Sequence, residues 1–473
     1  MILIPILLAF LTWILILRLC NQHKFLNIFE QLALWFATAL SLFIFELFLQ
    51  WIIFNKLSLI LPIITFIIVL WVFIYKCNKH KDLRKEIIDS IKHIFANIKF
   101  QFFWLRKWQR YVTIGILIYV LFKLFMVFSI NLHMPTFDDD AVTWWDMKTK
   151  VFAENRSLVL DKSSPEFLWS ALERNIFAPL TDTYFLLSHK WDINGLTNIV
   201  SALFYFISIL ILFWILLRKT NLFFAALSWY IFTSLPFVFV HGFGAYWNFI
   251  WWIFIFITIF YFIEQILNLN KENTKNKSLI IPIMIMLFLA STIRNESLIL
   301  IVVSFVATFI INYFTKKGEK INIKLYVMSL IWIIIWYVAT KLILMLYPAN
   351  TSLVMWWTPT PSAIISNLST NKGLFVAPFQ QMFLHPDYNL LYILFVISII
   401  LFFKNFKKSN DLILMYFFII IIILIWISIL VLYADLIWIL THFAYIRYSI
   451  FLTLFIIYFI SMNLYAHKSK ELV

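Results

Sequence analysis

The chain has 473 residues, 63% of them hydrophobic and only 13% charged, with a formal net charge of +15. Its charge usage is about half that of an ordinary soluble protein, its mean hydropathy is +0.91 and it has two cysteines, which excludes a soluble globular domain and a disulfide-built scaffold. The surplus Lys and Arg gather in short flanks between apolar runs, which excludes a nucleic-acid face and fits the positive-inside pattern.

Apolar runs recur around 2–18, 30–54, 57–75, 111–130, 196–217, 221–240, 246–267, 279–293, 297–313, 325–347, 388–403, 411–432 and 444–463. Most approach the roughly 20 residues that a helix needs to cross a bilayer. Backbone in lipid must satisfy its own hydrogen bonds, so these runs read as helices. The expected fold is all-α and polytopic, about thirteen transmembrane helices forming one domain over 1–473. The first run has no basic stretch before it and no small-residue cleavage pattern after it, so it reads as a span and not as a signal peptide.

Basic residues cluster in 76–110, at Arg218 and Lys219, and in 271–277, 316–324, 404–408 and the tail. Their alternation predicts the N-terminus outside a cell (plasma or inner) membrane and the C-terminus in the cytoplasm. Cys20 and Cys77 then lie in cytoplasmic flanks as free thiols. The segment 83–109 reads as a basic amphipathic helix on the cytoplasmic surface. The outside segments become 131–194, 241–245, the Arg294 turn, 348–387 and 433–443. Polar clusters from distant parts of the chain ("FDDDA", "HGFGAYW", "IRNES", "FLHPDY" and "THFAYIR") therefore share one face.

The longest outside segment, 131–194, holds ten Asp and Glu against six Lys and Arg. Within it "DAVTWWDMKTKVFAE" reads as a helix on the outer leaflet, with Asp140 as its N-cap and Asp138 and Asp139 near its positive dipole end. Trp144 and Lys148 share a face, as do Trp145 and Thr149. Adjacent carboxylates repel, which raises the affinity of at least one for a proton. Such a group can act as a general base toward a hydroxyl, and the triplet can also bind a divalent cation. A solvated acidic turn that caps a helix has the same composition.

The run at 279–313 is split by Arg294-Asn295-Glu296. The first half is about 22 Å long at 1.5 Å per residue, short of a 30 Å hydrocarbon core, which puts Arg294 and Glu296 below the outer surface. Charges there face a cavity or a partner, and an arginine can hold a phosphate bidentately. An Arg–Glu pair bracing a helix turn is the structural alternative. Lys341 near the outer end of its span and Lys123 inside its own can reach a lipid phosphate or snorkel to the interface. His385, His442 and Arg447 sit at outside helix ends. His241 stands beside two of the six glycines, Gly242 and Gly244, a pattern for a close approach of backbone or ligand or for a tight turn. Walker loops, HExxH, CxxC and a GxSxG elbow are absent from the sequence, which argues against ATP-driven transport, zinc proteolysis and thiol redox chemistry.

Three of these stretches carry a resemblance. Asp139-Asp140-Ala141, then Trp145, then Lys148-Thr149-Lys150 is similar to an acid, Ala, Trp, Lys-x-Lys pattern in the first large outside loop of the GT-C superfamily of membrane glycosyltransferases. "STIRNESLIL" is similar to a turn between two spans there, with Arg294 in place of a lysine and Ser297 in place of a glycine. "HGFGAYWNFIWWIF" is similar to a third motif whose acid is replaced here by Tyr246 and Trp247. The nearest branch resembles the bacterial relatives of dolichyl-phosphate-mannose protein mannosyltransferases. The resemblance covers roughly 130–310 by motif and the rest by hydropathy.

The resemblance implies a hexosyl- or pentosyltransferase with a polyprenyl-phosphate sugar donor and a glycan, lipid or protein acceptor on the outer face. It implies inversion at the anomeric carbon. Asp140, or its neighbour Asp139, takes the acceptor proton, while Arg294, Lys341 or Arg447 stabilises the leaving phosphate. Trp144 and Trp145 hold the sugar or the lipid. Asp138, Lys148, His241, Glu296, His385 and His442 are further substrate-binding candidates. No cofactor follows with certainty, Mg or Mn entering only if Asp138, Asp139 and Asp140 bind a divalent ion. Membrane lipids are the other expected partners, and nucleic acid is not one. The rival readings are a flippase or transporter of lipid-linked sugars, a surface-glycan ligase or polymerase, and a non-enzymatic membrane scaffold.

Overall fold

The computed structural model describes residues 3–19, 28–79, 83–134, 146–159, 177–188, 194–244, 247–269, 280–293, 386–409, 418–423 and 442–470, with single positions between 302 and 366. Among the described residues the regular structure is entirely helical. The helices are α1 (Leu3–Leu19), α2 (Ile28–Phe54), α3 (Ile60–Lys79), α4 (Leu83–Trp104), α5 (Lys107–His133), α6 (Met147–Asn155) and α7 (Phe177–Leu186). They continue as α8 (Asn194–Lys219), α9 (Leu222–Ser234), α10 (Pro236–Phe243), α11 (Trp247–Leu269) and α12 (Ile280–Ile293), and then, after a 3-10 turn at Pro386–Tyr388, as α13 (Leu391–Ser409) and α14 (His442–Lys470).

The boundaries follow local chemistry. Arg218 and Lys219 close α8, where cations meet the negative helix end. Asn221 then caps α9, its side chain accepting from the Phe224 amide at 3.2 Å. The apolar run read as one span over 221–240 is broken at Pro236, which has no amide hydrogen and forces Leu235 into an extended conformation (φ −73°, ψ 118°). The chain turns by 72° there.

Among the described residues three helices are long and apolar enough to cross a membrane: Phe36–Phe54, Lys107–His133 and Asn198–Lys219, with a fourth if the bent pair α9–α10 is one span. Shorter apolar helices run at Ile60–Tyr75, Phe249–Tyr261, Leu391–Lys404 and Leu452–His467. The sequence expectation of about thirteen spans is thus met in part. The Pro236 break accounts for one shortfall, and the runs at 297–313, 325–347 and 411–432 fall mostly outside the described residues.

Helix α8 is the axis of the bundle. It packs on α2, α5, α7, α9, α10, α11 and α14, and 83% of its apolar window is buried. Helix α5 is peripheral, with only 22% of its window buried and Ile118, Leu121, Phe122 and Phe125 exposed. A helix apolar on its outer face at that length is suited to lipid.

Two ends can be told apart by contacts. At one, the Arg218 guanidinium donates to both oxygens of Glu264 at 2.6 Å and to Glu30 at 3.0 Å. Lys219 lies 3.0 Å from Glu264, and the Tyr261 hydroxyl donates to Glu30 at 3.2 Å. This cluster ties the start of α2 to the ends of α8 and α11. Trp108 on Phe223, Gln101 accepting from the Leu222 amide, and Tyr465 on Phe224 lie at the same end. Arg218, Lys219 and the start of α5, read from sequence as basic flanks of one face, therefore share an end of the bundle.

Candidate functional site

The opposite end is built from short polar elements set between the long helices. The stretch after α6 docks on the α2–α3 turn, where the Leu57 amide donates to the Arg156 carbonyl at 2.5 Å and Ser157 donates to Asn55 at 3.0 Å. Asn131 near the end of α5 donates to the Gly242 carbonyl at 3.1 Å, and Asn198 in α8 donates to the Met134 carbonyl at 3.5 Å. Phe237 packs on Tyr388, and Asn389 donates to the Ser234 carbonyl at 3.0 Å. Segments far apart in sequence therefore meet at this end.

Helix α6 differs from the surface helix expected from sequence. Lys148, Thr149 and Phe152 are buried, Lys148 completely, because α6 packs on α7. The two are stitched through the Thr149 hydroxyl to the Pro179 carbonyl (3.4 Å) and the Thr183 hydroxyl to the Thr149 carbonyl (3.4 Å). Asp146 and Lys150, one turn apart, form an ion pair at 3.3 Å. Every residue of α7 is buried, including Asp182. Carboxylates and an ammonium thus sit inside the protein on facing helices, where charge is costly unless it is compensated. Phe152 anchors the buried face of α6 in the core, and Lys148 and Thr149 share that face.

His241 is buried in α10, its Nδ1 2.7 Å from the Phe237 carbonyl. A carbonyl only accepts, so Nδ1 carries the hydrogen and, in the neutral ring, Nε2 carries the lone pair. Gly242 next to it is a close backbone approach: a Cβ there would sit 2.9 Å from Cδ2 of Tyr205 on α8. Gly244 has φ −90°, which any residue can adopt.

Of the residues singled out from sequence, Lys148 and His241 lie at this end, though on separate packing surfaces: α6 on α7, and α10 on α5 and α8. His442 and Arg447 are in the first turns of α14, whose far end carries Tyr465; their side chains lie outside the described residues. Asp138, Asp139, Asp140, Trp144, Trp145, Arg294, Glu296, Lys341 and His385 also lie outside them. The divalent-ion reading of the triplet falls there too; among the described residues no three His, Cys, Asp or Glu gather as a ligand set.

Sequence reasoning passed over Asp146, Asp182, Asn131 and Asn198. "PLTDTY" carried a signal, an acid between two threonines in an otherwise apolar stretch. The asparagines matter only through partners 111 and 64 positions away in the chain.

Comparison with known protein families, with characterised proteins and with solved structures finds no match.

Proposed function

We propose that this chain is a multi-pass membrane glycosyltransferase that moves a sugar from a polyprenyl-phosphate donor to an acceptor on the outer face, with inversion. The observation that carries this reading is the burial of α6. The helix that begins at Met147, seven residues after the acidic triplet, buries charged and polar groups on the face it turns to α7, with Lys148 and Asp146 buried. Evolution of a stable fold alone favours apolar residues at such a place. A site that handles a charged leaving group and a hydroxyl nucleophile needs fixed charges shielded from water. Asp140, or Asp139, is the base for the acceptor hydroxyl, and the cations of this end stabilise the departing phosphate.

The test is transfer of radiolabelled sugar from polyprenyl-phosphate donors by the purified chain in lipid, beside Asp139→Asn and Asp140→Asn, with and without chelator. Loss of transfer in one variant that still folds and binds donor identifies the base. Unchanged transfer in both removes the aspartates from the mechanism, and chelator sensitivity decides the metal. The reading also places the N-terminus outside. A membrane-impermeant maleimide should then label Cys77 only after the cells are permeabilised.

The broken span α9–α10 favours a second reading, a flippase for lipid-linked sugars, since transporters use interrupted helices at membrane depth. Movement of a lipid-linked sugar between leaflets without transfer would select it.

A further inference from the structure

Lys123 lies inside the α5 span, about 15 Å along the helix from its His133 end and about 24 Å from its Lys107 end at 1.5 Å per residue. A lysine at such a depth is costly in lipid and marks a functional position by default. The bland alternative is a snorkelling side chain, which would lean toward the nearer end. Here the Nζ lies 3.9 Å over the Phe239 ring of α10 and 5.7 Å over the ring of Tyr119 in α5, so the charge is engaged within the protein. The charge is held at depth by aromatic faces. Among the described residues no carboxylate pairs with it.

Phe239 belongs to α10, one turn past the 72° break of the α9–α10 span. Tyr119 also meets Tyr230 of α9, ring centroids 5.6 Å apart. The α5 span and the broken α9–α10 span therefore meet around this ammonium. The phenols of Tyr119 and Tyr230 bring hydroxyl donors. Nearby, the buried Tyr205 hydroxyl has no hydrogen-bond partner among the described residues. Lys123 itself is partly exposed, and the outward wall of α5 beside it is Ile118, Leu121, Phe122 and Phe125.

We propose that Lys123, with Tyr119 and Tyr230, is a lateral binding site for the phosphate of a membrane lipid, entered from the bilayer between α5 and the α9–α10 break. An unpaired cation recessed in an apolar wall is complementary to a ligand with one anionic group on an apolar chain. The chain would lie along the exposed face of α5. A lipid phosphate monoester fits both parts. The proposal stands whether or not the chain is a glycosyltransferase.

Native mass spectrometry of the full chain in detergent tests it. The probes are phosphatidic acid, diacylglycerol with the same tails, a polyprenyl monophosphate and the matching polyprenol. The phosphate-bearing lipids should be retained about tenfold better than their neutral partners. Lys123→Met should abolish that difference, and Lys123→Arg should keep it within about twofold. Equal retention of phosphate and neutral lipids by the wild type, or an unchanged difference in Lys123→Met, overturns the site. Should Lys123→Met not fold, photo-crosslinking of the wild type with a diazirine-bearing phosphatidic acid decides. Labels on 117–125 or 236–243 support the site, and labels only elsewhere overturn it. A preference between phosphatidic acid and the polyprenyl phosphate names the lipid, a bilayer component or a sugar carrier.

Discussion

Replacing Arg218 by Met should destabilise the bundle by about 3–5 kcal/mol, the cost of removing one member of a buried ion pair. The magnitude follows from the geometry. Glu30 is fully buried and Glu264 is 7% exposed, and one guanidinium, itself 24% exposed, bridges them at 3.0 and 2.6 Å. Without it Glu264 keeps Lys219 and Glu30 keeps the Tyr261 hydroxyl at 3.2 Å, but both lose the guanidinium that bridges them. The loss comes from stranded charge and not from lost packing, because Met fills most of the arginine stem. Neutralising all three positions, Arg218→Met with Glu30→Gln and Glu264→Gln, should therefore recover stability to within about 1.5 kcal/mol of wild type. Equilibrium unfolding by SDS in mixed micelles, followed by tryptophan fluorescence and circular dichroism, reads both. An Arg218→Met variant within about 1 kcal/mol of wild type, or a triple variant as unstable as the single one, would refute the reasoning.

Gly242→Ala should cost about 1–3 kcal/mol, because its Cβ meets Tyr205 at 2.9 Å, and Tyr205→Leu in the same chain should relieve most of it; thermal shift in detergent measures this. Ser58→Ala should cost about 1–3 kcal/mol by stranding the buried Gln50 amide, which donates to Ser58 at 2.6 Å, as read in the same unfolding assay. On the proposed function, Lys148→Met should lower sugar transfer at least tenfold with the helix content retained; transfer at the wild-type rate would detach the buried α6 cation from the chemistry.

The helices themselves were legible in the composition. Runs such as 30–54, 111–130 and 196–217 returned as α2, α5 and α8, longer by a few residues at their ends. Hydropathy suffices here because lipid leaves a backbone no alternative to internal hydrogen bonds. The sharing of one end by basic flanks was also readable, since Lys and Arg at helix ends mark a side. The Pro236 break was visible as a residue but not as a consequence. A proline can kink a span, end it or open a turn, and the neighbours decide which.

The candidate site was legible only as a set of motifs. Lys148 and His241 stand out in the sequence, yet α6, expected as a helix on the outer leaflet, buries Lys148, Thr149 and Phe152 against α7. Its fate was set by a partner more than 20 residues further along, through threonine hydroxyls whose acceptors are backbone carbonyls.

By itself the sequence determined that this is an all-helical chain with spans suited to a membrane, and which flanks carry the positive charge. Both are consequences of solvent and local pairing. Only the tertiary structure decided that Arg218 bridges Glu30 and Glu264, that Gly242 is required by Tyr205, and that Lys123 rests on Phe239 and Tyr119. Each of these depends on which helix faces which, and apolar faces of similar composition do not encode that choice in a local pattern.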